Sequence, residues 1–215
     1  MEDLAAPMRK MLVRRRVVVG GLLLTAAAGS GVATSWASPS LGEATEVRGD
    51  VRRKQAKKDD PLTVGSQLFE NDRVRTNVES HATLNLGTDT RVLLGAETEL
   101  LVDSFIAGQG GTLELGTGRM VFDRPEGLPK VDVAVRTAFG MIGVRGTKFF
   151  CGPSRAAFAV FVEHGSVSVA RGGVTRIVAA GQGVEFHHRG DAPSEPINWG
   201  EPRIREAYAS VGLTR

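Results

Sequence analysis

Between Glu46 and Phe186 the chain is a succession of short β-type runs, each closed by glycine or by Asn and Asp. They recur about every ten residues, the spacing of strands in an all-β domain rather than of strands alternating with helices. Many alternate apolar and polar residues, as Ser80–Gly87 does, so that one face of each strand turns to a core. Ala156–Glu163 is instead apolar almost throughout and reads as a central strand. The 27 glycines supply the turns. The pattern predicts a single all-β unit, an antiparallel-rich sandwich or a short β-solenoid, between which no strict internal period decides.

Several connections can be read locally. Thr88-Asp89 turns Ser80–Gly87 into Thr90–Gly95, and Gly116-Thr117-Gly118 joins Thr112–Gly116 to Gly118–Phe122 as a candidate hairpin. His164-Gly165 turns the central strand into Ser166–Val169. Arg52–Pro61 holds five cations in seven residues, then two acids and a proline, and reads as a solvated hairpin loop, with a patch for an acidic polymer or a membrane surface as the alternative. Pro193 and Pro196 end the β region. Glu201–Gly212 suits a short C-terminal helix, with Pro202 in its first turn and Ile204, Ala207, Tyr208 and Val211 on one stripe expected to pack back on a sheet, or alternatively to dock on a partner.

The first 37 residues read as an export signal. Arg14-Arg15-Arg16 precedes an uncharged stretch to Ala37 in a twin-arginine-like pattern, and Ser35-Trp36-Ala37 places small residues for cleavage between Ala37 and Ser38. The alternative is an uncleaved anchor in the inner membrane, which would be the chain's only membrane contact. The organisation expected is a signal over 1–37, a linker over 38–45, a β domain over 46–190, and a proline-containing connector with the helix over 191–215. Arg9, Lys10 and Arg14–Arg16 against Glu2 and Asp3 account for the whole net charge of +3. The remainder is formally neutral, which argues against a nucleic-acid partner. Exported protein is expected to be periplasmic.

Catalytic, metal and cofactor chemistry finds no constellation here. Cys151 is the only cysteine and ends an apolar strand with no histidine beside it in sequence. His187 and His188 are adjacent, so in a strand they point to opposite faces; His81 and His164 stand singly near turns. Gly140-x-x-Gly143-x-x-Gly146 lacks the helix and the lysine-serine step of a phosphate loop. No cofactor, metal or catalytic residue is therefore assigned, and the protein is expected not to be an enzyme.

The segment Val135–Phe150 is the most distinctive in the chain. Its Ile142-Gly143-Val144-Arg145-Gly146-Thr147-Lys148-Phe149 resembles the central motif of the FecR family of periplasmic regulatory domains. The resemblance extends in order through Val47-x-Gly49-x-Val51, Leu62-x-x-Gly65-x-x-Leu68, Asn71-Asp72-x-Val74-x-Thr76 and Ala82-x-Leu84-x-Leu86. It continues with Val92-x-Leu94, Gly111-x-Leu113-x-Leu115-x-x-Gly118, Thr137, and Val162-x-x-Gly165-x-Val167-x-Val169. It implies an all-β periplasmic domain that receives a conformational signal from an outer-membrane receptor and passes it inward. Thr137, Gly143, Val144, Arg145, Gly146, Thr147 and Phe149 are the motif residues expected to shape the fold or bind a partner. For Arg145 the expectation is a tie within a packed bend, with a partner-facing guanidinium as the alternative.

Members that regulate a sigma factor carry a cytoplasmic helical segment, and only Met1–Val13 precede the arginines here. The function expected is thus a stand-alone exported domain acting by protein contact in periplasmic signalling or envelope organisation. Its partner would be an envelope protein, a receptor component of the outer or inner membrane. The alternative is a carbohydrate-binding or peptidoglycan-binding β module, for which Trp199 and Tyr208 offer a thin aromatic platform.

Overall fold

The computed structural model describes residues 39–214. The export signal expected over residues 1–37, with its Ala37-Ser38 junction, lies outside the described residues. The early strands are β1 (Gly42–Arg48), β2 (Val51–Gln55), β3 (Lys58–Pro61), β4 (Gln67–Leu68), β5 (Asp72–Thr76) and β6 (His81–Leu86). The middle ones are β7 (Thr90–Leu94), β8 (Glu99–Ile106), β9 (Gly110–Thr117), β10 (Met120–Asp123), β11 (Asp132–Thr137) and β12 (Gly140–Arg145). The last are β13 (Lys148–Ser154), β14 (Ala157–His164), β15 (Ser166–Arg171), β16 (Val174–Ala179), β17 (Gln182–Phe186) and β18 (Ile197–Asn198), followed by helix α1 (Glu201–Ala209).

These strands form two nine-stranded sheets. The first runs β18-β17-β14-β13-β10-β7-β6-β1-β4 and the second β16-β15-β12-β11-β9-β8-β5-β2-β3. Among the described residues every pairing is antiparallel except that of β9 with β11. The chain crosses repeatedly between the sheets and advances along both, from β1–β4 at one end to β16–β18 at the other. The fold is thus an all-β sandwich, and its steady advance gives it the solenoid-like character that the even strand spacing suggests.

One core fills the space between the sheets, with Leu84, Leu86 and Val92 of the first meeting Leu100, Val102 and Leu113 of the second. A second cluster lies on the first sheet's outer face. There Leu93, Val121, Phe150 and Phe161 are covered by Trp199 and by Ile204, Ala207 and Tyr208 of α1. That explains the composition of β14: Phe158, Val160 and Val162 point into the main core, while Ala159 and Phe161 point under Trp199 and α1. A strand covered on both faces has no polar side to alternate with. In the second sheet, β11, β12 and β15 keep the alternation, burying Val133, Val135, Ile142, Val144, Val167 and Val169.

Two sequence expectations change. β9 and β10 are not a hairpin, because β9 pairs with β8 and β11 in the second sheet and β10 with β7 and β13 in the first. Gly118 between them belongs to a corner where the chain changes sheet. Gly165 likewise connects β14 to β15 across the sandwich. Arg52–Pro61 is also more ordered than a loop: β2 and β3 pair from Arg52↔Pro61 to Gln55↔Lys58, with Ala56-Lys57 as a two-residue turn. Among the described residues no helix is long and apolar enough to cross a membrane.

Candidate binding face

The motif lies where β12 of the second sheet passes into β13 of the first. At the end of β11, the Thr137 hydroxyl accepts from the Phe139 and Gly140 amides at 3.0 and 3.1 Å and donates to the Gly140 carbonyl at 3.0 Å, closing the β11–β12 turn. Period-two alternation then sorts the side chains. Val144 points into the core at 3% exposure, which sends Gly143 and Arg145 to the outer face. Gly146 makes the corner, with φ at +68°, a left-handed backbone that branched side chains resist. Thr147 and Phe149 are fully buried, and Phe149 stacks on Phe122 with ring centroids 5.5 Å apart.

Arg145 differs from the packed tie expected of it. Its side chain is 71% exposed, and its ion partner Asp132, 3.6 Å away on β11, is 85% exposed. The flanking glycines do not mark a crowded bend at Arg145; Gly146 turns the chain and Gly143 clears the surface. A Cβ on Gly143 would stand 2.5 Å from the Ser168 hydroxyl oxygen.

Register places Thr112, Ala134, Gly143 and Ser168 side by side across β9, β11, β12 and β15. These small side chains line an open groove of ≈ 510 Å³ with Asp132 and Arg145 at one end. Met141 and Ile177 are exposed on the same face. Thr112, Ala134 and Ser168 were not legible from the motif itself, because they come from three other strands. Alternation within each strand would put them on the outer face, but only the ladder register brings them beside Gly143.

The other reactive residue types are dispersed. Cys151 is fully buried in the main core, and burial pushes its thiol far above the ordinary range. His164, His187 and His188 each neighbour a separate acid: Glu126 at 3.6 Å, Glu185 at 3.8 Å and Asp191 at 3.3 Å. Among the described residues no three His, Cys, Asp or Glu side chains gather as a metal site.

Residues 72–168 match the family model described as FecR protein. No curated protein matches. Two crystal structures of a candidate anti-sigma factor from Parabacteroides distasonis, at 2.50 and 1.65 Å resolution, each match with a TM-score of 0.50 at 21% identity. Each alignment covers 61% of this chain and 62% of the other, so this chain spans about three fifths of the length of those structures. At that identity the likeness is one of fold.

Proposed function

We propose, from the premise that residues 72–168 carry a FecR domain, that this chain is a non-enzymatic signalling module that works in the periplasm by protein contact. The observation that carries this reading is the difference between the two outer faces. Trp199 and α1 cover much of the first sheet. The second presents Gly143 and Arg145 in an open groove, flanked by exposed Met141 and Ile177. A groove floored by small side chains admits a partner's protruding element, and the Arg145 fork suits a partner carboxylate. Val144 beside it is buried in the core, which by strand alternation sets Arg145 on the outer face. A signalling role also fits the description of the solved relatives as a candidate anti-sigma factor. The partner in this reading is an envelope protein, a receptor component of the outer or inner membrane.

The test is photocrosslinking in cells, with a benzophenone amino acid at Met141 or Ile177 and a control at exposed Arg205 on α1. Discrete protein adducts from the groove positions, lost on Arg145→Glu, are expected. Adducts from Arg205 alone, or none from the groove, would overturn the reading.

A further inference from the structure

At its far end the second sheet carries a site of different chemistry, independent of the groove beside Arg145. β2 and β5 set Arg52 opposite Arg75 and Lys54 opposite Arg73. Like charges directly opposite on a ladder oppose its formation. Here two such pairs adjoin, and all four cations line one cavity of ≈ 690 Å³. Two acids also line it, and each is engaged by the diagonal arginine instead of the cation across from it. Asp59 stands opposite Lys54, yet Arg52 donates Nε to its carboxylate and Nη2 to its carbonyl, both at 2.8 Å. Glu99 stands opposite Arg75, yet it pairs with Arg73. Lys54 and Arg75 are left exposed, and neither forms an ion pair with the described residues. On this diagonal their Cα atoms are separated by about 7–8 Å.

We propose that this cavity binds an acidic saccharide, with Lys54 and Arg75 holding its anionic groups and Asp59 and Glu99 accepting from its hydroxyls. Alternating cations and carboxylates suit a ligand that offers both charge and hydroxyl donors. A flat anionic bilayer would meet Asp59 and Glu99 at the same surface and be repelled by them. No aromatic side chain lines the cavity, so recognition is by charge and hydrogen bonds and not by ring stacking.

Full-length protein is titrated with a galacturonic acid trimer and with glucose 6-phosphate. Maltotriose, inorganic phosphate and phosphatidylglycerol vesicles are the comparison ligands. Binding of either acidic sugar, absent for maltotriose and weakened by salt, is expected. Lys54→Ala combined with Arg75→Ala should weaken it about tenfold or more, since charge-assisted bonds are lost. Arg136→Ala, on the same face but outside the cavity, should bind as the unaltered protein does. The double variant should keep or raise the melting temperature, because it relieves facing like charges; if it fails to fold, the single Lys54→Gln and Arg75→Gln variants carry the comparison. The proposal falls if neither acidic sugar binds, or if inorganic phosphate or the vesicles bind as well as the sugars. It falls equally if Arg136→Ala loses as much as the cavity variants.

Discussion

The γ-methyl of Thr147 lies against the backbone of Gly165, so closely that a Cβ on the glycine would stand 2.5 Å from it and 2.9 Å from the Gly146 carbonyl oxygen. Two successive sheet-to-sheet corners are thereby stacked: β12 to β13 through Gly146-Thr147, and β14 to β15 through Gly165. Gly165 also has φ at +79°, so any side chain there meets both a strained backbone and an occupied space. Gly165→Ala is expected to lower stability by about 2 kcal/mol or more. Urea unfolding measures it; a midpoint within error of the unaltered protein would show that the corners are not packed this way.

Thr147 itself presents a separable question. Its side chain is fully buried and its hydroxyl has no hydrogen-bond partner among the described residues. Replacing it by a methyl keeps the contact with Gly165 and removes a desolvated polar group. Thr147→Val should therefore leave stability unchanged or raise it by about 1 kcal/mol. A clear loss would mean that the hydroxyl is bonded in the folded protein.

Gly146 and Arg145 adjoin in sequence but should respond differently. Around Gly146 there is room, the nearest atom to an added Cβ being Lys130 Cγ at 3.7 Å, so only the left-handed backbone restricts substitution. Gly146→Val is expected to cost about 2 kcal/mol and Gly146→Asn much less, since asparagine tolerates this conformation. Arg145→Ala should move the melting midpoint little, because exposed ion pairs contribute about 0–1 kcal/mol. Thermal melts of the three variants check this ordering.

A tighter charge contact fastens the C-terminal helix. Arg203 of α1 stacks its guanidinium 3.7 Å from the Trp199 ring centre while donating to Glu185 and, at 3.2 Å, to the Ser154 hydroxyl. The arginine side chain is 10% exposed and that of Glu185 20%. Removing one member of such a pair strands the other, at a cost of about 3–5 kcal/mol. Arg203→Ala should therefore unfold at markedly lower urea, and Arg203→Lys should recover only part, lacking the planar fork. Equal midpoints for Ala and the unaltered protein would remove the clamp from the account.

Sequence alone identified strands better than their partners. The apolar run of β14 marked a central strand because both its faces are covered. The separation of β9 from β10 was not legible, because a glycine turn looks the same whether it joins two strands in one sheet or passes between sheets. For Arg145 the signal was present in the neighbouring residue: once Val144 points inward, a residue beside it on the strand points outward. The flanking glycines suggested crowding, whereas their structural causes are a corner at 146 and a close approach to Ser168 at 143. At Lys54 and Arg75, reading residues 52–61 as loop removed the alternation that places Arg52, Lys54, Arg73 and Arg75 on one face.

Stability should also vary with pH through Asp72, the buried acid of the Asn71-Asp72 turn. Its Oδ2 accepts from the Phe69 amide at 2.8 Å, its Oδ1 has no hydrogen-bond partner among the described residues, and Arg53 lies 3.9 Å away. Burial raises its pKa, outweighing the Phe69 hydrogen bond and the Arg53 charge, which both act to lower it. A raised native pKa means that the folded state holds the proton more tightly than the unfolded chain does. That contribution to stability is full below the unfolded-state value of about 4 and is lost as the pH rises through the higher native value. Asp72→Asn retains an acceptor for the Phe69 amide and cannot ionise. The stability of the unaltered protein relative to Asp72→Asn should therefore be greatest near pH 3 and fall through the weakly acid range to a lower plateau at neutral pH, as read by urea midpoints at each pH. A relative stability that instead rises with pH would show that Arg53 dominates and that the carboxylate, not the acid, is the form the fold prefers.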